Sequence, residues 1–324
     1  MTSPARHGTD DPIDAAIREL GRRGLQVLDI RRSRYATSHL TYDLTVAPHD
    51  GCSRRLVWKS LSDRDLLPEA RGRRPSFVAD ARREPSVYRS ILAGAGLGTA
   101  ELFAEHADPR TGDAWLLLEK VAGRELYQFG DLGPWQQAAR WLVALGRCPV
   151  PPTERERLVS YDEEWFTRWP DRARASMASA TPHDRRRLAE VLDRYAPVVS
   201  TLAALPRGLV HGEFYASNIL VDVAADRVCA VDWEMAGIGS PLLDLAALVS
   251  GGWTDDQRAD VALAYLDELP AGERPATDTF LTELDLCRLH LCIQWLGWST
   301  GWVPPTEAAT DWLGTAHEIA LRLG

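Results

Sequence analysis

The stretch from Leu209 to Glu234, LVHGEFYASNILVD followed by VCAVDWE, restricts what this chain can become more than any other part of it. Short apolar runs at Leu209–Val210, Asn218–Val221 and Val228–Val231 alternate with polar residues that can accept protons or hold cations. Runs of that length bounded by loops predict short buried strands. Loops flanked by strands hold side chains rigidly while leaving them accessible, as a chemical site requires. Glu213 and Asn218 stand five residues apart in one such loop, and Asp232 ends a strand fourteen residues after Asn218. A carboxylate beside a hydroxyl can take its proton. An Asn oxygen and an Asp carboxylate together suit Mg²⁺, which prefers oxygen and accepts only a few protein ligands. Transfer of a γ-phosphoryl group needs this set, completed by a cation on the phosphates.

The rest of the chain divides around that segment. Asp11–Arg23 carries Ile13, Ile17 and Leu20 on one helical face. Strand patterns follow at 25–31, 39–47 and 55–60, with a Pro48–Asp50–Gly51 break before the third, which predicts an antiparallel meander. An Arg- and Pro-rich loop at 63–76 leads to a predicted helix over 77–92, then to strands at 101–105 and 115–120. From Asp131 onward helices dominate, at 134–145, 161–177, 183–205, 241–250, 254–269, 277–298 and 306–323. The expectation is an α+β, two-lobe chain: residues 1–120 form a small five-stranded antiparallel N-lobe with one inserted helix, and 121–324 form a larger, mainly helical C-lobe.

Composition excludes several classes. No run reaches the roughly 18 uninterrupted apolar residues of a membrane span, and the opening MTSPARHGTDDP has no apolar segment after its basic residues, so no secretory leader is expected. Five cysteines without a CxxC spacing fit a reducing cytoplasm better than a disulfide or zinc scaffold. A formal net charge of −9 argues against nucleic acid as a partner. The oligomeric state is not legible. Among 37 basic residues only Lys59 and Lys120 are lysine. An ammonium is a compact triple donor that the planar guanidinium does not replace at a tight phosphate contact, so both positions attract notice.

Three linked blocks carry a resemblance: His211–Gly212–Glu213 with Asn218, then Asp232–Trp233–Glu234, then Gly239–Ser240–Pro241–Leu242–Leu243–Asp244–Leu245–Ala246. At this spacing the chain resembles the aminoglycoside phosphotransferase and choline kinase family, which shares the protein-kinase-like fold. The resemblance implies that Asp232 and Asn218 hold Mg²⁺ on ATP or GTP, and that Glu213 stands where the family places the Asp that orients or receives the acceptor hydroxyl. Asp244 corresponds to a buried brace of the catalytic loop, and His211 to a packing and hydrogen-bonding residue. Lys59 ends the third strand, where kinase-like folds place the phosphate-binding lysine, and Glu84 is the carboxylate expected to brace it. Glu119 and Val121 fall where the adenine edge meets backbone groups, with the Lys120 side chain toward solvent. The loop at 31–41 is no G-x-G-x-x-G; Ser33, Thr37 and Ser38 stand there as phosphate contacts.

One departure matters. Glu213 replaces the family's Asp, and one methylene moves a carboxylate by about 1.5 Å, a misplacement that can cost on the order of 100-fold in rate. Either the pocket is built around the longer side chain, or the chain is a catalytically impaired module that binds nucleotide or metabolite without transfer. On the acceptor side the C-terminal half is rich in tryptophan. Trp165, Trp295 and Trp298, with Asp162 and Glu163 near the first, are candidate contacts for a hydroxylated, amine-bearing molecule such as an aminoglycoside, amino sugar or sugar. The same indoles at helical spacing also suit a packed core. The function expected is small-molecule O-phosphotransfer.

Overall fold

A computed structural model describes residues 12–33, 39–48, 51–68, 75–108, 110–298 and 310–323. The chain forms two compact units, Met1–Arg71 with Ala100–Val121, and Gly72–Thr99 with Ala122–Gly324.

The first unit holds helix α1 (Asp14–Arg22) and strands β1 (Leu25–Arg32), β2 (Thr41–Pro48), β3 (Arg54–Ser60), β4 (Leu102–Asp108) and β5 (Asp113–Glu119). They build one antiparallel sheet in the order β1-β2-β3-β5-β4. Period-two alternation decides its faces. Leu44, Val46, Leu56, Trp58, Trp115 and Leu117 join Ile13, Ala16 and Leu20 of α1 in one buried cluster. Lys59, between Trp58 and Ser60, therefore belongs to the other face of the sheet.

The second unit begins where the sequence suggested one helix over 77–92. Instead a 3₁₀ turn, Ser76–Val78, is followed by a break and then by α2 (Arg83–Ser86), which continues as a π-helical stretch, Val87–Leu92. Pro85 lacks an N–H and is tolerated only in a first turn, so it fixes the restart close to Arg83. Arg83 and Glu84 are buried against residues of the helical unit, which is why 72–99 groups with that unit and not with the sheet.

Helices α3 (Leu132–Gly146), α4 (Glu163–Ser176), α5 (Pro182–Tyr195), α6 (Val198–Ala204), α7 (Leu242–Leu248), α8 (Asp255–Glu268), α9 (Thr277–Trp298) and α10 (Trp312–Arg322) make up its bulk. The expected single helix over 183–205 is two, divided at Ala196–Pro197, where the proline interrupts the backbone ladder. Two small sheets lie among them. Strands β6 (Arg124–Glu125), β9 (Ile219–Asp222) and β10 (Arg227–Ala230) pair in the order β10-β9-β6, and β7 (Val159–Ser160), β8 (Gly208–Val210) and β11 (Gly237–Gly239) in the order β7-β11-β8. Among the described residues no helix is long and apolar enough to cross a membrane.

Candidate active site

Strand β8 delivers the chain to His211, and the turn that follows is held by a single carboxylate. Asp244, in the first turn of α7, accepts the His211 N–H on Oδ2 at 2.6 Å and the Gly212 N–H on Oδ1 at 2.8 Å. Burial pushes its carboxyl up to about 7, while those two backbone donors pull in the opposite direction. His211, wholly buried, accepts the Glu213 N–H on Nδ1 at 3.3 Å, so its Nε2 carries the proton and donates to the Val231 carbonyl at 2.9 Å. One imidazole thus ties the loop to the end of β10. Its ring packs on Trp233 at 4.6 Å between centroids.

The loop closes on itself through Asn218, whose Nδ2 donates to the Glu213 carbonyl at 3.0 Å. With the amide nitrogen engaged, Oδ1 is the atom of that group suited to a cation. The β9–β10 register sets Ile219 opposite Ala230, and the Val231 N–H donates to the Asn218 carbonyl at 2.9 Å. Asn218 and Asp232 therefore stand at the same end of one hairpin. Asp232 has φ 68° and ψ 66°, the left-handed region, which costs a non-glycine residue of order 1 kcal/mol or more and persists only where the surroundings impose it. They do: the next N–H, of Trp233, donates to Glu84 Oε1 at 3.3 Å, and the Trp233 indole donates to the Ala230 carbonyl at 3.1 Å. Among the described residues no cluster of three or more His, Cys, Asp or Glu side chains could hold a metal. The pair of Asn218 and Asp232 is a different set, one amide and one carboxylate oxygen, and it fits the sparse oxygen ligation of Mg²⁺.

Three supports were not legible in the sequence. Arg83, buried, donates to the carbonyls of Glu234, Arg157 (2.7 Å) and Val78 (2.9 Å), fixing the Asp232–Glu234 turn from below. Nothing separates it by sequence from its exposed neighbour Arg82. Trp141 of α3 stacks on Phe214 at 5.5 Å and 6°, beside Glu213, and its indole donates to the Leu97 carbonyl at 2.7 Å. Tyr161 donates its hydroxyl to the Met235 carbonyl at 2.7 Å. Three glycines crowd this tyrosine: a Cβ on Gly212 would lie 2.2 Å from its hydroxyl, one on Gly237 2.4 Å from its ring and one on Gly239 2.6 Å from its Cβ. Gly212 also has φ +85°. The recurrence of glycine in HGE and MAGIGS was the available signal.

In the sheet unit, Lys59 is half-buried on β3 between Thr41 and Leu116. The Glu119 N–H donates to the Glu101 carbonyl at 2.9 Å and the Lys120 N–H to the Arg55 carbonyl at 3.0 Å; Val121, which follows, is buried. The Lys120 side chain, expected toward solvent, is instead half-buried in an ion pair with Asp43. Ser38 and Thr37 lie outside the described residues; Ser33 donates its backbone N–H to the Thr41 carbonyl at 2.9 Å.

The acceptor candidates separate. Asp162 is the N-cap of α4: Oδ1 accepts the Trp165 N–H at 3.1 Å and Oδ2 the Ser160 hydroxyl at 2.6 Å, so both oxygens serve the helix end. Glu163 is exposed in the first turn. Trp165 is buried edge-on against Tyr161, Trp169 and Phe77, a core residue with no face for a ligand. Trp298 stacks on Trp169 at 5.7 Å and 7°. Trp295 stacks on Trp312 and donates its indole N–H to the Tyr215 hydroxyl at 2.8 Å, so of these five it alone touches the catalytic loop.

A five-stranded antiparallel sheet with a helical unit, an Asp-braced loop carrying Glu213 and Asn218, and a strained Asp232 at a hairpin end define a protein with the protein-kinase-like fold. Solved structures of this kind include an aminoglycoside 2′-phosphotransferase-IIIa in its GDP complex (TM-score 0.64, 11% identity, covering 96% of this chain and 97% of that one). A microcompartment-associated aminopropanol kinase (TM-score 0.64, 16%, 95% of each) and the Plasmodium vivax ethanolamine kinase (TM-score 0.62, 11%, 99% and 92%) are similar as well. The family model described as "phosphotransferase enzyme family" matches residues 46–277, and the chain belongs to that family. A curated relative, a probable acyl-CoA dehydrogenase of Arabidopsis thaliana, is 25% identical over 180 residues; the match spans 51% of this chain and 22% of that protein.

Proposed function

We propose that the chain moves the γ-phosphoryl group of ATP or GTP to a hydroxyl of a small molecule. The observation that carries this reading is the Asp244-braced loop, which sets Glu213 and Asn218 in one turn and ties that turn to the residue before Asp232. Glu213 accepts the acceptor's proton as its oxygen bonds to phosphorus and the bond to the β-phosphate oxygen breaks. Asn218 Oδ1 and the Asp232 carboxylate hold Mg²⁺, which when bound neutralises charge on the phosphate oxygens. Lys59 supplies the ammonium for the α- and β-phosphates, Glu84 braces this arrangement, and the Glu119–Val121 backbone meets the base. Relatives solved with GDP, or with ADP as in an aminoglycoside phosphotransferase APH(2″)-Ib, support nucleotide use. Five free cysteines support a reducing, cytoplasmic setting.

The test is nucleotide consumption by the full chain with Mg²⁺, screened over sugars, amino sugars, aminoglycosides and amino alcohols, and repeated with Asp232→Ala. The variant should lose turnover on the order of 100- to 1000-fold on the scale of catalytic electrostatics; equal turnover removes the assigned role. Glu213 favours one second reading, an impaired module. A large gain in rate for Glu213→Asp would establish that reading.

A further inference from the structure

An open groove of about 560 Å³ adjoins the catalytic loop, within the size range of small-molecule sites. Tyr215, Ala216 and Ser217, three of the four residues between Glu213 and Asn218, form one wall. Tyr127, Phe129 and Trp253 form much of the rest. None of the described residues lining it is Asp, Glu, Lys, Arg or His.

The charges just behind the lining are mixed, since Arg258 also pairs with Asp255. The Arg124 guanidinium lies 4.5 Å from the centroid of the Phe129 ring, and Arg258 donates to the Trp253 carbonyl at 3.0 Å. The nearby carboxylate of Glu125 is engaged, accepting the Tyr127 hydroxyl at 2.7 Å and the Gln128 amide at 2.9 Å. A polycation entering this groove gives up hydration for no carboxylate among the described lining residues, with the Arg124 guanidinium behind Phe129. A neutral flat body meets aromatic faces on several sides.

Resting on the phosphotransferase reading for the role of its occupant, we infer that this groove takes the body of an uncharged acceptor, a hydroxylated molecule with a flat apolar part of the aryl-glycoside kind. The amine-bearing acceptor suggested by the acidic and tryptophan-rich sequence is then the wrong class. Trp253 and Tyr127 set this specificity, and Tyr215 joins it to the reacting loop.

Calorimetric titration of the full chain with phenyl β-glucoside, kanamycin and choline tests this without any turnover. Phenyl β-glucoside should bind at least tenfold more tightly than kanamycin, and Tyr127→Ala and Trp253→Ala should each weaken it at least tenfold. Gly252→Asp supplies the opposite perturbation, placing a carboxylate at a groove position where a Cβ meets no atom within 4 Å. It should raise kanamycin affinity at least tenfold. Tighter binding of kanamycin or choline by the unmodified chain, binding of none of the three, or indifference to all three variants overturns the inference. Selective binding of the glucoside without nucleotide consumption upholds the groove and refutes the phosphotransferase reading instead.

Discussion

Replacing Asp244 by Asn keeps the shape of the brace and removes its charge, and the structure fixes how the effect must vary with pH. The carboxyl sits at about 7 in the folded chain against an ordinary 3.8, because burial disfavours its ionised form. Between those values the folded state holds a proton that the unfolded chain has lost. The group's contribution to stability is thus complete below pH 3.8 and is lost as pH rises through 7. Roughly three pH units correspond to an upper limit of about 4 kcal/mol. Asn has no such titration, and its amide leaves one of the His211 and Gly212 N–H donors facing a donor, at a cost of about 1–3 kcal/mol. The stability of the natural chain relative to Asp244→Asn should therefore be highest below pH 3.8 and fall by about 2–4 kcal/mol between pH 4.5 and pH 7.5, closing or reversing the difference. Denaturant unfolding followed by tryptophan emission reports it, since ten of twelve tryptophans follow Val121. A difference that stays constant, or grows in the natural chain's favour as pH rises, refutes the reasoning.

Further outcomes follow from the same geometry. On the phosphotransferase reading, Glu213→Asp should lower turnover on the order of 100-fold in steady-state assays, since one methylene moves the carboxylate by about 1.5 Å. Gly212→Ala, which forces a Cβ into the Tyr161 hydroxyl and the Met235 carbonyl, should lose at least 3 kcal/mol in denaturant unfolding, whereas Tyr161→Phe should lose about 1–2. Burial lowers the His290 imidazole to about 3, so its contribution is present above pH 6.5 and lost as pH falls toward 3. Thermal midpoints of the natural chain should drop across that window more steeply than those of His290→Gln.

The candidate site was readable because its residues are close in sequence: short strand patterns flank Glu213, Asn218 and Asp232, while the Asp244 brace came from the family resemblance. The five-stranded sheet was readable for a related reason, since alternation marks β2 and β3, and β5 is a continuous apolar run. Strands β6, β7 and β11 are two or three residues long and pair with distant partners, so they leave no periodic trace. The helix restart at Arg83 and the division at Pro197 did leave one, in Pro85 and Pro197. Asp162 and Trp165 were drawn to the acceptor by chemistry that a helix cap and a core use equally. Only the fold reveals that Arg83 is buried, or that the described residues lining the groove beside Tyr215 are uncharged.

The seat of Tyr161 against Gly212, Gly237 and Gly239 has a consequence for anyone who would re-engineer this chain. A methyl group at any of the three positions and the aromatic ring exclude each other, so the four sites form a single inherited unit. Libraries that randomise the loop while retaining the tyrosine will consist mainly of broken molecules. Shrinking residue 161 does not release positions 212 and 237, because at 212 the Met235 carbonyl would lie 2.3 Å from an added Cβ at a φ of +85°, and at 237 the Val159 carbonyl 2.5 Å.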